Sequence, residues 1–152
     1  MGELFTDVAK NVVLMTALTA WFIAQVLKTI TSIWKDKAFN AERLVGAGGM
    51  PSSHTALVVS LASAAGYHDG FYSPLFAVTV VLASIVMYDA AGVRRAAGKQ
   101  AKIINQLVRE LTVDHIIKDT RLKELLGHTP LEVLAGAVLG IVTAYIFHHF
   151  YL

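Results

Sequence analysis

Residues 12–34 read VVLMTALTAWFIAQVLKTITSIW, an apolar run whose one formal charge is Lys28. A helix crosses the hydrocarbon core of a bilayer in about 20 residues, so this stretch reads as a membrane-spanning helix. Gln25, Lys28 and Ser32 recur at helical spacing and share one face. Polar side chains at that depth are costly in lipid, so the face must point at protein or water. Upstream, Glu3 and Asp7 stand where a basic leader region would be, and no small-residue cleavage site follows the run. The start therefore does not read as a cleaved signal peptide. Downstream, residues 35–50 are charged and then Gly-rich. A second apolar segment begins at Pro51 and continues to about Tyr67. It is short for a full span, and is either thin, tilted into partners or partly re-entrant.

The rest of the chain repeats the pattern. His68, Asp69, Gly70 and Pro74 bracket a turn. A third segment extends from Phe71 to about Val93 and is apolar until Asp89. Between Arg94 and Gly127, Ile103, Ile104, Leu107, Leu111 and Ile116 alternate with Lys102, Arg109 and Asp114 at near-helical period, which predicts an amphipathic helix at the membrane interface. The final segment, Thr129 to about Phe150, is again long enough to span. Apolar residues make up 55% of the 152 positions and charged residues 16%, and both figures depart from soluble composition toward a membrane protein. No Cys is present, which excludes disulfides, thiolate chemistry and Cys-ligated zinc. The expectation is one all-α domain over residues 1–152: a polytopic membrane helix bundle with about four spanning segments plus one interfacial amphipathic helix.

The net charge is only +2, but its placement carries information. Lys35, Lys37 and Arg43 follow the first segment. Arg94, Arg95, Lys99, Lys102, Arg109, Lys118, Arg121 and Lys123 lie between the third and fourth, and residues 67–73 hold neither Lys nor Arg. The positive-inside rule then places both basic loops in the cytoplasm and both termini outside, in the cytoplasmic (inner) membrane. This topology brings two helix starts to the cytoplasmic boundary. One is Pro51-Ser52-Ser53-His54-Thr55-Ala56, preceded by Gly48 and Gly49; the other is Gly127-His128-Thr129-Pro130-Leu131-Glu132.

Helix N-termini carry unpaired N–H groups and the positive end of the dipole, which suits anions. Ser52 and Ser53 add hydroxyls, and the glycine pair permits close backbone approach. Phosphoryl transfer through histidine needs one imidazole to attack phosphorus and another group to protonate the leaving oxygen. It also needs cations around the non-bridging oxygens, which Lys28, Arg94, Arg95 and Lys99 can supply. Plainer roles stand beside these. Thr129-Pro130-Leu131-Glu132 is a capping box with Pro at the first helical position, so Glu132 can act as a cap alone. Ser52 or Ser53 can be an N-cap, and Arg94 and Arg95 can be topological anchors. Asp89 calls for an ion pair with Arg94, Arg95 or Lys28, or else a ligand role. The sequence requires no cofactor; a single carboxylate is too few for a protein-built Mg²⁺ cage, so Mg²⁺ at Asp89 would lean on water and substrate phosphate. His68, His115, His148 and His149 read as interfacial. Gly136 and Gly140 form a GxxxG pattern that favours close helix packing, within the chain or with a second copy.

Three separated motifs resemble the divergent PAP2 family, which is related to acid phosphatases and vanadium-dependent haloperoxidases. They are Gly48-Gly49-Met50-Pro51-Ser52-Ser53-His54-Thr55-Ala56, Tyr88-Asp89-Ala90-Ala91-Gly92-Val93-Arg94-Arg95 with Gly98 and Gln100-Ala101, and Leu126-Gly127-His128-Thr129-Pro130-Leu131-Glu132-Val133. PAP2 phosphatases carry Lys-x6-Arg-Pro, Pro-Ser-Gly-His and Ser-Arg-x5-His-x3-Asp. The resemblance implies that His54 is the general acid, His128 the nucleophile and Glu132, in place of Asp, its orienting carboxylate. The i, i+4 spacing of the last two allows contact on a helix. Ser53 replaces the family's Gly, no Lys-x6-Arg-Pro is present, and Leu122 stands where the second motif Arg would be. Arg94, Arg95 and Lys99 are candidates to replace the missing phosphate ligands. PAP2 enzymes use six spanning helices, so either the core is reduced here or a homodimer completes it.

The implied activity is a membrane phosphatase acting on a lipid phosphate or lipid pyrophosphate through phospho-His128. Phosphatidylglycerophosphate, phosphatidate and polyprenyl pyrophosphate are candidate substrates. The alternative is a non-catalytic anionic-lipid binder or translocator. The expected partners are a phospholipid or polyprenyl phosphate and the bilayer, with no nucleic acid.

Overall fold

A computed structural model describes residues 2–36, 49–112 and 127–151, and among these all regular structure is helical. The sequence expectations placed on Lys37, Arg43, Gly48, Asp114, His115, Ile116, Lys118, Arg121, Leu122, Lys123 and Leu126 lie outside the described residues. The elements are α1 (Gly2–Lys10), α2 (Val12–Asp36), α3 (Ser53–Asp69), α4 (Pro74–Tyr88), a π-helical turn (Asp89–Val93), α5 (Arg94–Thr112) and α6 (Pro130–Tyr151).

The short first helix is absent from the sequence expectations. Glu3 in its first turn and Lys10 in its last both complement the helix dipole. Asn11 ends it and begins α2: its side-chain oxygen accepts the Leu14 N–H at 3.0 Å, and its carbonyl accepts the Met15 N–H at 2.9 Å. Along α2 the buried positions are Thr16, Ala17, Ala20, Ala24, Lys28 and Ser32. They form a seam of mostly small side chains at helical spacing. Phe22, Val26, Ile30 and Ile33 stand exposed. Large apolar groups outside and small or polar groups inside is the reverse of a soluble bundle, and it suits a lipid surround.

The central element is α3, which packs against α2, α4 and α6. Ala56, Val58, Ser60, Ala62, Ala64, Ala65 and Gly66 are all buried, so the helix is covered on nearly every side. This segment is short for a full span, and it forms an uninterrupted helix of 17 residues. Among the described residues, three other helical stretches, Val12–Trp34, Pro74–Arg109 and Pro130–Tyr151, are long and apolar enough to cross a membrane. Small side chains let the neighbours of α3 approach closely. A Cβ on Gly140 would come within 2.8 Å of the Ala56 carbonyl oxygen and 2.9 Å of the Ser60 nitrogen, and one on Gly136 would strike the Ser52 carbonyl. The GxxxG pattern is therefore spent inside the chain, on α3.

The turn from α3 to α4 follows its local chemistry. Gly70 has φ 89°, a left-handed value that favours glycine. Ser73 caps α4 by accepting the Phe76 N–H at 3.2 Å, with Pro74 at the first helical position. Only Thr79 and Ala83 are buried along α4. The π turn then leads without a break into α5, where Ile103, Ile104 and Leu107 are exposed along one side of a helix that also carries Lys99 and Lys102. The expected amphipathic helix is present, but as a continuation of the third segment.

Candidate functional site

Four chain segments meet at one end of the bundle. Thr31 near the end of α2 donates its hydroxyl to the Met50 carbonyl at 2.8 Å. The Lys28 stem lies against Gly49, where a Cβ would stand 2.9 Å from Lys28 Cγ. Gly49 has φ 93°, so glycine serves both the backbone and the space. The Ser52 N–H donates to the Glu132 carbonyl at 3.0 Å, which joins the start of α3 directly to the first turn of α6. The His128 N–H donates to the Ala90 carbonyl at 3.1 Å, which adds the π turn. Thus the two helix starts singled out in the sequence, Lys28 and the Asp89 segment converge.

At the start of α6 the capping box forms in full. The Thr129 N–H donates to Glu132 Oε2 at 2.9 Å, and the Glu132 N–H donates to Thr129 Oγ1 at 3.3 Å. The same carboxylate oxygen lies 3.2 Å from His128 Nδ1. The two roles foreseen for Glu132, cap and imidazole partner, are therefore filled by one atom. His128 is 3% exposed, while Glu132 is half-buried. With Nδ1 facing a carboxylate, the favoured tautomer holds its proton there and leaves the Nε2 lone pair as the reactive position. A buried imidazole oriented in this way has the chemistry that a nucleophile or a metal ligand requires.

At the start of α3, Ser52 is the N-cap. Its hydroxyl oxygen accepts the Thr55 N–H at 3.4 Å and the Thr55 hydroxyl at 3.0 Å. Ser52, Ser53 and Thr55 are buried, whereas His54 between them is exposed. Lys28 is 3% exposed despite its charge, and Lys99 is exposed on α5. Arg94 and Arg95 open α5 directly after the π turn, and their side chains lie outside the described ones. Asp89 is half-buried and is the first residue of that turn. Among the described residues no group of three or more His, Asp or Glu side chains comes together to hold a metal ion. An Mg²⁺ ion at Asp89 would thus need substrate and water for most of its ligands. His68, His148 and His149 lie toward the opposite end, where His148 stacks on Tyr67 at 4.6 Å between ring centroids.

The sequence singles out neither Thr31 nor the backbone carbonyls of Ala90 and Glu132, and it shows Thr55 only as a member of its motif. Backbone groups leave no residue-type signature, and the π turn has none in the run from Asp89 to Val93. Such turns cluster at functional sites because they re-aim neighbouring groups.

Fold and site together define an all-α membrane protein with paired helix starts built around a buried His–Glu contact. Its sequence matches the divergent PAP2 family over residues 9–143, and the chain belongs to that family. It is also similar to the "Uncharacterized membrane protein YuiD" of Bacillus subtilis (strain 168), at 36% identity over 157 residues that cover 96% of this chain and 99% of the relative. No solved structure matches.

Proposed function

We propose that this protein is a membrane phosphatase acting on a lipid phosphate or lipid pyrophosphate. The observation that carries the reading is His128, buried and held by Glu132 through Nδ1 at 3.2 Å. In the proposed reaction His128 Nε2 attacks phosphorus as the bond to the lipid oxygen breaks. His54 gives its proton to that leaving oxygen, and water then cleaves the phospho-histidine to release phosphate. Glu132 stabilises the imidazolium that forms. Lys28, Arg94, Arg95 and Lys99, with Ser52 and Ser53 at the start of α3, would face the phosphoryl oxygens. Family membership supports a phosphatase-related role. The basic loops would place this chemistry at the cytoplasmic face of the inner membrane.

A second reading has its own support. Glu132 Oε2 already accepts the Thr129 N–H, and the Ser52 hydroxyl already caps α3. Groups committed to capping fit a site that binds or translocates an anionic lipid without cleaving it. Phosphate release from phosphatidate, phosphatidylglycerophosphate and polyprenyl pyrophosphate by the detergent-purified protein separates the two. Catalysis predicts release that falls by about a hundredfold or more in His128→Ala and in His54→Ala. Lipid binding with no release in the parent protein would sink the phosphatase reading and leave the binder.

A further inference from the structure

At the opposite end of the bundle a cavity of about 590 Å³ opens between the start of α2, the end of α3 and the start of α4, with the last turn of α1 at its rim. Its lining is divided by depth. Asp7, Lys10, His68 and Asp69 form the mouth, and all four are exposed. Leu61 lies eight residues before Asp69, about 12 Å further along α3 from its exposed end. Thr79 on α4 also lines the cavity, and its hydroxyl is taken up by its own helix, 2.9 Å from the carbonyls of both Leu75 and Phe76. A polar mouth at the helix ends above an apolar floor among spanning helices follows the headgroup-to-acyl boundary of a bilayer. The cavity is open along one side, as a groove that admits a lipid laterally must be.

The charges at the mouth select among headgroups. Asp7 and Asp69 contribute two carboxylates, and Lys10 one ammonium. His68 sits with Nδ1 3.2 Å from Asp69 Oδ1. A headgroup with one ammonium and one phosphate meets both signs: the ammonium toward Asp7 and Asp69, the phosphate toward Lys10. A purely anionic headgroup would satisfy Lys10 but face both carboxylates. We propose that this cavity is a phospholipid-binding site selective for an amine-bearing zwitterionic headgroup, separate from the phosphate site at the other end. The lipid is held there intact, with its headgroup at the rim and an acyl chain passing Leu61 and Thr79.

The test is native mass spectrometry of the purified full chain, titrated with phosphatidylethanolamine or phosphatidylglycerol of identical acyl chains. The expected result is a preference for the ethanolamine lipid of roughly tenfold, the scale of one charge-assisted contact. The double substitution Asp7→Asn with Asp69→Asn changes only exposed groups and should abolish that preference. A folded Leu61→Trp variant, checked by circular dichroism, should lose retention of the ethanolamine lipid because the indole fills the cavity. His128→Ala should leave the preference intact. Equal retention of the two lipids, a preference that survives the double substitution, undiminished retention by folded Leu61→Trp, or a preference lost in His128→Ala would each overturn the proposal.

Discussion

Replacing Gly140 with alanine probes the contact that holds the site together. The added Cβ would sit 2.8 Å from the Ala56 carbonyl oxygen and 2.9 Å from the Ser60 nitrogen, where ordinary contact begins near 3.4 Å. Both neighbours are backbone of α3, so no rotamer change relieves the overlap. The helices must part by about 0.6 Å, and a gap of that size forfeits a quarter to a half of each dispersion contact it opens. Overpacking of this kind costs about 1–3 kcal/mol. In membranes the loss is not offset by a hydrophobic drive between helices, because lipid tails are as apolar as the interface. Gly136→Ala should cost at least as much, since its Cβ would strike the carbonyl of Ser52, the residue whose N–H reaches Glu132. Gly92→Ala supplies the control: its Cβ meets nothing within 4 Å. That change should be neutral or stabilising by up to about 1 kcal/mol from helix propensity. Denaturation in detergent, followed by far-ultraviolet circular dichroism, measures all three. If Gly140→Ala unfolds with the parent protein, or Gly92→Ala loses as much as Gly140→Ala, the packing of α3 on α6 is not what holds this end together.

Two further substitutions separate structural from chemical roles within the site. Glu132→Gln keeps an acceptor for the Thr129 N–H, so stability should fall by less than about 1 kcal/mol, while phosphate release should fall far more because the carboxylate beside His128 Nδ1 loses its charge. Matched small losses in both measurements would mean that Glu132 is a cap and nothing more. Gly49→Ala forces a side chain into a left-handed conformation, at about 1–2 kcal/mol, and pushes on the Lys28 stem. Binding of a lipid phosphate should weaken alongside stability; unchanged binding in a destabilised protein would remove Lys28 from the proposed phosphate site.

Helix class, apolar segments and turns were legible in the sequence because each is a local property. Hydropathy marks the spans, Thr129-Pro130-Leu131-Glu132 marks a helix start, and Gly70 marks the turn between α3 and α4, whereas α4 begins at Pro74, three residues past the Phe71 that hydropathy suggests. The motifs around His54 and His128 were equally legible, because each is a contiguous run of residue types at a helix start. Which surfaces meet is decided by packing over long sequence separations. Only the tertiary structure assigns Gly136 and Gly140 to α3, makes the shortest apolar segment the central helix, and lays the Lys28 stem on Gly49. It also joins Ser52 to Glu132 and His128 to Ala90 through backbone hydrogen bonds, which any residue type could make and no motif can announce. The two His-bearing helix starts were thus visible as separate pieces. Their union rests on small residues that let α3 and α6 approach until main-chain atoms touch.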